Sequence, residues 1–300
     1  MTTVSEIEVE ADFEELSDKK PWGQVASEMM RKQPLGAAGG AIVVLMILMG
    51  IFADVLTVYD PEVNSLEHML APPDDQFWLG ADQFGRDLLT RIIYGARTAL
   101  FVGFTCAIIG SSLGLVLGVA SAYFGGMFDL VVQRIVDVIM AFPLIILALA
   151  VVATLGPGTQ NVIIAITIPF VPQCARVVRS NALAIREIPY VDAARALGFS
   201  NMRIIMRHMV PNVMAPFLIM LTSFLGQAIL LEASLSYLGM GVQEPTPAWG
   251  LMLQGGAEEF AESAPWVAIW PGVAISLAVF GFNLFGDSVR DTLDPKLRSR

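Results

Sequence analysis

Few side chains in this 300-residue sequence could bind or transform a ligand. The two histidines, His68 and His208, are too few for a zinc site. Cys106 and Cys174 both lie inside apolar runs, so we interpret them as small apolar fillers and not as a disulfide. No segment has the G-x-x-x-x-G-K-[ST] pattern that holds ATP phosphates, and none of the lysines follows a glycine: Lys19, Lys20, Lys32 and Lys296. We therefore expect no catalytic residue, no metal and no cofactor bound by this chain.

The composition indicates a membrane protein. Hydrophobic residues make up 55% of the chain and charged residues 15%, and the mean hydropathy is +0.64. Soluble domains average about 45–50% apolar and about 25% charged residues, so this chain has too few charges to cover a globule with a wetted surface. The net charge of −10 argues against a nucleic-acid partner.

Stretches without any charge locate the membrane spans. Each is long enough for a helix that crosses a bilayer, and the longest, 138–175, is divided by the turn signal Gly156-Pro157-Gly158. The sequence therefore predicts an all-α polytopic membrane protein with six transmembrane helices, at about 35–56, 98–123, 132–154, 160–180, 212–236 and 266–286. Gly110 and Gly114 have the GxxxG spacing of closely packed helices, which we interpret as bundle packing.

The distribution of basic residues predicts the orientation. With the amino terminus inside, all 18 lysines and arginines except Arg86, Arg91 and Arg97 lie on the cytoplasmic side. The positive-inside rule therefore predicts cytoplasmic termini in a cell (cytoplasmic or inner) membrane. The expected organisation is an acidic cytoplasmic tail (1–32), a first helix with an external lobe (33–97), a core transmembrane domain (98–290) and a cytoplasmic tail (291–300).

The cytoplasmic segment 181–212 predicts two short helices. Pro189 can open a helix that runs to Leu197, and Gly198 can end it with a positive φ. Ser200 or Asn201 caps a second helical stretch, and Pro211 begins the fifth span. The pair Ala193-Ala194 gives the first helix a small, flat surface that a partner protein could approach closely.

This segment resembles the EAA loop of bacterial and archaeal ABC import permeases, in which Glu-Ala-Ala is followed three residues later by Gly and further on by Pro. Here it reads Asp192-Ala193-Ala194-x-x-x-Gly198, with Pro211 downstream and Asp in place of Glu. The resemblance implies a coupling helix that seats in a cleft of the ATP-hydrolysing subunit. It implies that coupling involves Asp192, Ala193, Ala194, Arg195, Gly198, Arg203 and Arg207.

Three further segments are similar to the second (C-type) permease subunit of dipeptide, oligopeptide and nickel ABC importers. They are LGADQFGRDLLTRIIYGAR (79–97), LSYLGMGVQEPTPAWGLML (235–253) and VRDTLDPKL (289–297). The resemblance implies a type I ABC importer permease fold and import of peptides or related solutes by alternating access. It implies as partners a homologous second permease, two ABC ATPase subunits that bind ATP and Mg²⁺, and an extracytoplasmic solute-binding protein.

Two external-side sites are candidates for contact with solute or partner. Glu232 is the one acid well inside a span, where an ionised group costs about 2.5–3.5 kcal/mol, so it faces the bundle interior or water. It could line the pathway and meet a peptide's amino terminus, or it could hydrogen-bond neighbouring backbone. The loop 237–265 is rich in helix breakers and predicts re-entrant backbone over a cavity. Its candidate contacts with the binding protein are Gln243, Pro245, Pro247 and Trp249. This loop could equally form a lid with no partner contact.

Two other classes of protein compete with this interpretation. A transporter that works alone usually shows inverted repeats or several charges within its spans, whereas this chain has a single Glu232 and no obvious repeat. An intramembrane protease needs paired acids or a nucleophile with a base, but Asp54 and Asp137 lie at span ends with no evident pairing.

Overall fold

The computed structural model describes residues 33–293. The predicted tail 1–32 and most of the predicted tail 291–300 lie outside these residues. Within the described range the chain is helical, and its only β-type pairing there is an isolated bridge between Ala81 and Asp87. The helices are α1 (Pro34–Ile51), α2 (Ala53–Leu56), α3 (Leu88–Phe124), α4 (Gly126–Met140), α5 (Leu144–Leu155), α6 (Thr159–Arg186), α7 (Pro189–Ala196), α8 (Asn201–Ile204), α9 (Met214–Tyr237), α10 (Trp249–Glu259) and α11 (Trp266–Leu293).

The predicted all-α membrane fold is confirmed, with one correction. Five helical segments of the described chain are long and apolar enough to cross a bilayer: α1, α3, α6, the run Asn201–Tyr237 that contains α9, and α11. The predicted span 132–154 is not one continuous helix: α4 and α5 meet there at a 90° bend, and the bent pair together can make the sixth span. Pro143 stands at the start of α5, where its missing N–H and fixed φ separate the two helices.

The second span is longer than predicted, because α3 begins at Leu88 and not near residue 98. The Asp87 carboxylate caps the helix by accepting hydrogen bonds from the Thr90 N–H at 2.8 Å and the Thr90 hydroxyl at 2.6 Å. The first three turns contain Arg91 and Arg97, and these two charges ended the charge-free stretch that marked the span.

Glycines on α3 allow it to lie against α6. A Cβ atom at Gly110 would lie 2.7 Å from the Cβ of Phe170, and one at Gly114 would lie 2.9 Å from the carbonyl oxygen of Val171. Both distances are shorter than van der Waals contact, so only glycine fits there and the predicted packing role is confirmed. The Phe170 ring at this contact also stacks on the ring of Phe224 of α9, and the two ring centroids are 4.1 Å apart.

Both cysteines lie in this packed core as free thiols, and neither is exposed. Cys106 is on α3 and Cys174 on α6, and each contacts a backbone carbonyl of the facing helix, Ile163 and Ser111 respectively. The interpretation of the two thiols as small apolar fillers is confirmed.

Candidate functional site

The helix α7 stands at one end of the bundle, beside the ends of α3 and α6. It begins at Pro189 and ends at Ala196, and Gly198 follows with φ +75°. Such a φ strains residues with a Cβ atom, so the glycine allows the chain to turn here. Ser200 then caps α8 by accepting the Arg203 N–H at 3.4 Å. The predicted helix, glycine turn and second helix are confirmed.

The two faces of α7 differ in exposure. Val191 and Ala194 are buried against the bundle, whereas Asp192, Ala193 and Ala196 are exposed. Because successive helical residues point about 100° apart, Ala193 and Ala194 do not form one outward surface. The prediction of Ala194 as a partner contact is therefore corrected: its side chain is 4% exposed and anchors α7 to the bundle.

The other predicted coupling residues surround the exposed face of α7. Asp192 pairs with Arg195 at 3.0 Å on the same helix, and the Arg195 guanidinium lies 5.4 Å from the centre of the Tyr123 ring. Arg203 lies over the Phe199 ring at 4.1 Å. Arg207 is exposed and makes no ion pair within residues 33–293. The exposed face of α7 therefore presents the small residues Ala193 and Ala196 beside the Asp192–Arg195 ion pair.

A buried charge network at the opposite end of the bundle was missed by the sequence analysis. The Arg86 side chain donates from Nε to Asp82 at 2.7 Å and from Nη1 and Nη2 to Glu244 at 2.6 and 3.1 Å. Arg91 approaches the same two carboxylates at 3.5 Å each. Burial opposes the charge of Arg86, but the two carboxylates outweigh that effect and raise the pKa of Arg86 above its ordinary value.

The network joins two loops that are distant in the sequence. Arg91 is fully buried and donates from Nη1 to the carbonyl oxygens of Pro61 and Pro245, at 2.8 and 3.3 Å. Arg86, Arg91 and Arg97 are the three bases that the positive-inside rule left on the far side, and Arg97 likewise pairs with Asp54 at 3.0 Å. That exception to the rule was a signal that these arginines have acidic partners.

The loop after α9 divides into an exposed tip and a buried return. Gln243 and Pro245 are exposed, as predicted for a contact with another protein. Pro247 and Trp249 are buried, and the Trp249 indole N–H donates to the carbonyl oxygen of Ile92 at 3.0 Å. Their prediction as partner contacts is corrected, because the Trp249 side chain and the Pro247 carbonyl oxygen, which accepts the Thr98 hydroxyl at 2.8 Å, hold the loop onto α3.

Glu232 is sealed inside the bundle in this conformation, with 1% of its surface exposed. Its carboxyl group accepts a hydrogen bond from the Ser236 hydroxyl at 2.7 Å, and the Ser236 oxygen accepts one from the Val242 N–H at 3.1 Å. Glu232 thus fixes the loop after α9 through Ser236. The partner of Glu232 is thus the Ser236 side chain and not the neighbouring backbone, and the pathway role stays a prediction.

The fold of the described residues is that of a membrane-spanning chain of an ABC transporter. A chain of the MetNI methionine ABC transporter, solved in an inward-facing conformation, has a similar fold with a TM-score of 0.55 and 21% identity. The similarity covers 69% of this chain and 98% of that chain.

The sequence comparisons identify the family. Residues 110–299 match the family described as binding-protein-dependent transport system inner membrane component, and residues 20–73 match the N-terminal TM domain of oligopeptide transport permease C. The chain belongs to this family and is a multi-pass permease subunit of an ABC importer.

Two relatives illustrate the range of the family. The dipeptide transport system permease protein DppC of Alkalihalophilus pseudofirmus is 43% identical, over 93% of this chain and 91% of the relative. The glutathione transport system permease protein GsiD of Escherichia coli is 40% identical, over 93% of this chain and 92% of the relative.

Proposed function

We propose that this chain moves dipeptides, oligopeptides or closely related amide-linked solutes into the cytoplasm by alternating access. The relatives named for dipeptide and glutathione transport match nearly their whole length, and both solutes consist of amino acids joined by amide bonds. The chain acts with a homologous second permease, two ABC ATPase subunits and an extracytoplasmic solute-binding protein.

The observation that carries the proposal is the exposed face of α7. A short helix with a small outer residue, Ala193, and a buried anchor, Ala194, can fit closely into a cleft while it stays fixed to the bundle. The charged side chains around it can set the register of docking through ion pairs. Coupling contacts are therefore assigned to Asp192, Ala193, Arg195, Gly198, Arg203 and Arg207.

Energy for transport comes from the partner ATPases in this proposal. The sequence has no phosphate-binding loop of its own, so ATP and Mg²⁺ are bound by those subunits and this chain has no enzymatic activity. The α7 end of the bundle then faces the cytoplasm, with both termini. The arginines near that end, including Arg176, Arg179 and Arg186, agree with the positive-inside rule.

The opposite end receives the solute-binding protein. Its proposed contact is the exposed tip formed by Gln243 and Pro245, which the Arg86–Glu244 ion pair holds against the loop before α3. The sealed Glu232 reaches the solute pathway only in a different conformation of the cycle.

Cysteine cross-linking in the purified complex tests the coupling assignment. Ala193→Cys places a thiol on the exposed face of α7, and Ala194→Cys places one on its buried face, so the second variant is a matched control one residue away. The native Cys106 and Cys174 are buried and leave the background low. We expect a short thiol-to-amine cross-linker to join Ala193→Cys, and not Ala194→Cys, to the ATPase subunit.

Two results would contradict the proposal. An assembled complex in which Ala193→Cys gives no cross-link to the ATPase would remove α7 as the docking helix. A chain that purifies alone and transports peptide into liposomes without ATPase subunits would be a self-contained transporter.

A further inference from the structure

The side chain of Tyr190 joins α7 to the segment that leads into α9. Its hydroxyl donates to the carbonyl oxygen of His208 at 3.2 Å and accepts a hydrogen bond from Nδ2 of Asn212 at 3.0 Å. The same Nδ2 donates to the His208 carbonyl oxygen at 2.6 Å. The Tyr190 hydroxyl, the Asn212 amide and the His208 carbonyl therefore close a ring of three hydrogen bonds.

The ring lies at a break in helical regularity. Ile205–Met209 forms a π-helical turn and Val210–Val213 a 3₁₀ turn before α9 begins. Pro211 has no N–H, so the regular ladder of backbone hydrogen bonds cannot continue through it. Single π-helical turns are frequent at functional positions, since they change the register of the following helix. The ring thus fastens α7 to the point where the direction of α9 is set.

Aromatic packing supports the same connection. The His208 ring centroid lies 5.7 Å from that of Tyr190 and 6.2 Å from that of Phe199. His208 therefore fills the space between α7 and the stretch that follows Gly198.

The hydrogen-bonded ring connects α7 to the start of α9 more directly than the chain itself does. α7 follows α6 through the short link Glu187–Ile188, so a displacement of α7 reaches α6 along the chain. The route along the chain to α9 passes through Gly198, with φ +75°, and the π-helical turn. Both are places where backbone can adjust instead of transmitting a movement.

We propose that Tyr190 and Asn212 are positioning residues that transmit the displacement of α7 to α9. The proposal rests on the proposed function, in which a partner ATPase moves α7. The hydrogen-bonded ring holds α7 against the start of α9. The helices α6 and α9 therefore move together when the ATPases close.

Transport stoichiometry in the complete importer tests this proposal. Tyr190→Phe removes the hydroxyl and keeps the ring against His208, and Asn212→Leu removes the amide. Tyr59→Phe is the matched control, because its hydroxyl donates to the Gln76 carbonyl oxygen in the loop between α2 and α3. In proteoliposomes that hold both permeases and the ATPases, with binding protein and a labelled dipeptide, we expect each ring variant to lower peptide uptake per ATP hydrolysed by about fivefold. That factor corresponds to one ordinary hydrogen bond.

Spin labels give a readout that folding defects do not reproduce. Leu197, which follows α7, and Ser223 on α9 are both exposed and accept labels. We expect their distance to stay constant between the nucleotide-free and ATP-bound wild type, and to change on ATP binding in Tyr190→Phe.

The outcomes separate this proposal from the one it rests on. If both ring variants take up as much peptide per ATP as the wild type, the transmission role is overturned. ATP-driven uptake by the wild type still supports the proposed function in that case. Equal losses of ATP hydrolysis and uptake in an assembled complex would assign Tyr190 to docking and would also overturn it. Failure of the proposed function appears instead in the wild type, as uptake that does not depend on ATP.

Discussion

Asp82→Asn is the sharpest test of the charge network at the end of the bundle opposite α7. The Asp82 side chain is buried, and its Oδ2 lies 2.7 Å from Nε of Arg86 and 3.5 Å from Nε of Arg91. Its Oδ1 accepts the backbone N–H groups of Phe84 and Arg86, both at 2.9 Å. Asparagine keeps that acceptor and nearly the same shape, so the substitution removes the negative charge and replaces the Oδ2 acceptor of the Arg86 Nε–H by an NH₂ group.

The magnitude follows from the charge balance. The wild-type network has two guanidinium groups and two carboxylates, and Asp82→Asn leaves two buried positive charges with Glu244 alone. Removing one member of a buried ion pair costs about 3–5 kcal/mol, because the remaining charge is desolvated without compensation. Glu244 is partly exposed and admits water, so we expect the lower end, about 3 kcal/mol. At an unfolding entropy of about 2.1 cal/mol/K per residue, that loss lowers the midpoint of thermal unfolding of a 300-residue chain by about 5 °C.

Thermal unfolding of the purified importer in mild detergent measures the effect. Glu262→Gln is the control, since Glu262 is an exposed acid in the loop before α11 that makes no ion pair within residues 33–293. We expect the control to match the wild type within about 0.5 kcal/mol. An Asp82→Asn protein as stable as this control would refute the reasoning, because it would show that the network contributes no net stability.

Three further substitutions test other parts of the structure. Gly110→Leu should prevent close packing of α3 on α6, since even its Cβ would lie 2.7 Å from the Cβ of Phe170, and we expect little assembled protein by size-exclusion chromatography. Gly272→Leu on α11 is the control for side-chain size, because a Cβ there would lie 4.0 Å from its nearest neighbour, Leu253. Trp249→Phe removes the hydrogen bond to Ile92 and should lower stability by about 1 kcal/mol without changing the affinity for the binding protein; a large loss of affinity would return Trp249 to the partner surface. Glu232→Gln keeps an acceptor for Ser236 but removes the ionisable group proposed for the solute pathway, so we expect assembly to be retained and transport to fall, and normal transport in this variant would remove Glu232 from the pathway.

The sequence predicts the spans well because a bilayer core excludes unpaired charge over about 20 residues. The same criterion placed the start of α3 too late. Arg91 and Arg97 are charged, but their partners Asp82, Glu244 and Asp54 lie outside the helix, two of them far away in the sequence. Local patterns do not contain such pairings.

Side-chain direction explains the other corrections. Ala193 and Ala194 are the same residue type and differ only in the side of α7 that each occupies. The contact of α7 with the bundle decides which side is buried. The burial of Trp249 likewise depends on the carbonyl oxygen of Ile92, a residue that the chain brings near only after folding. Residue types predicted the elements, and packing decided which residues remain available to partners.

The fastening of α9 at both ends has a thermodynamic consequence. At one end the Tyr190–Asn212 ring holds the approach to the helix, and at the other Glu232 and Ser236 hold the loop that carries Gln243. A helix of 24 residues spans about 36 Å, so α9 connects the two faces of the bundle as one element. Equilibrium linkage is reciprocal: if a protein bound at Gln243 raises the affinity of α7 for its own partner, that partner raises the affinity at Gln243 by the same factor. Measured separately, the two binding enhancements must agree.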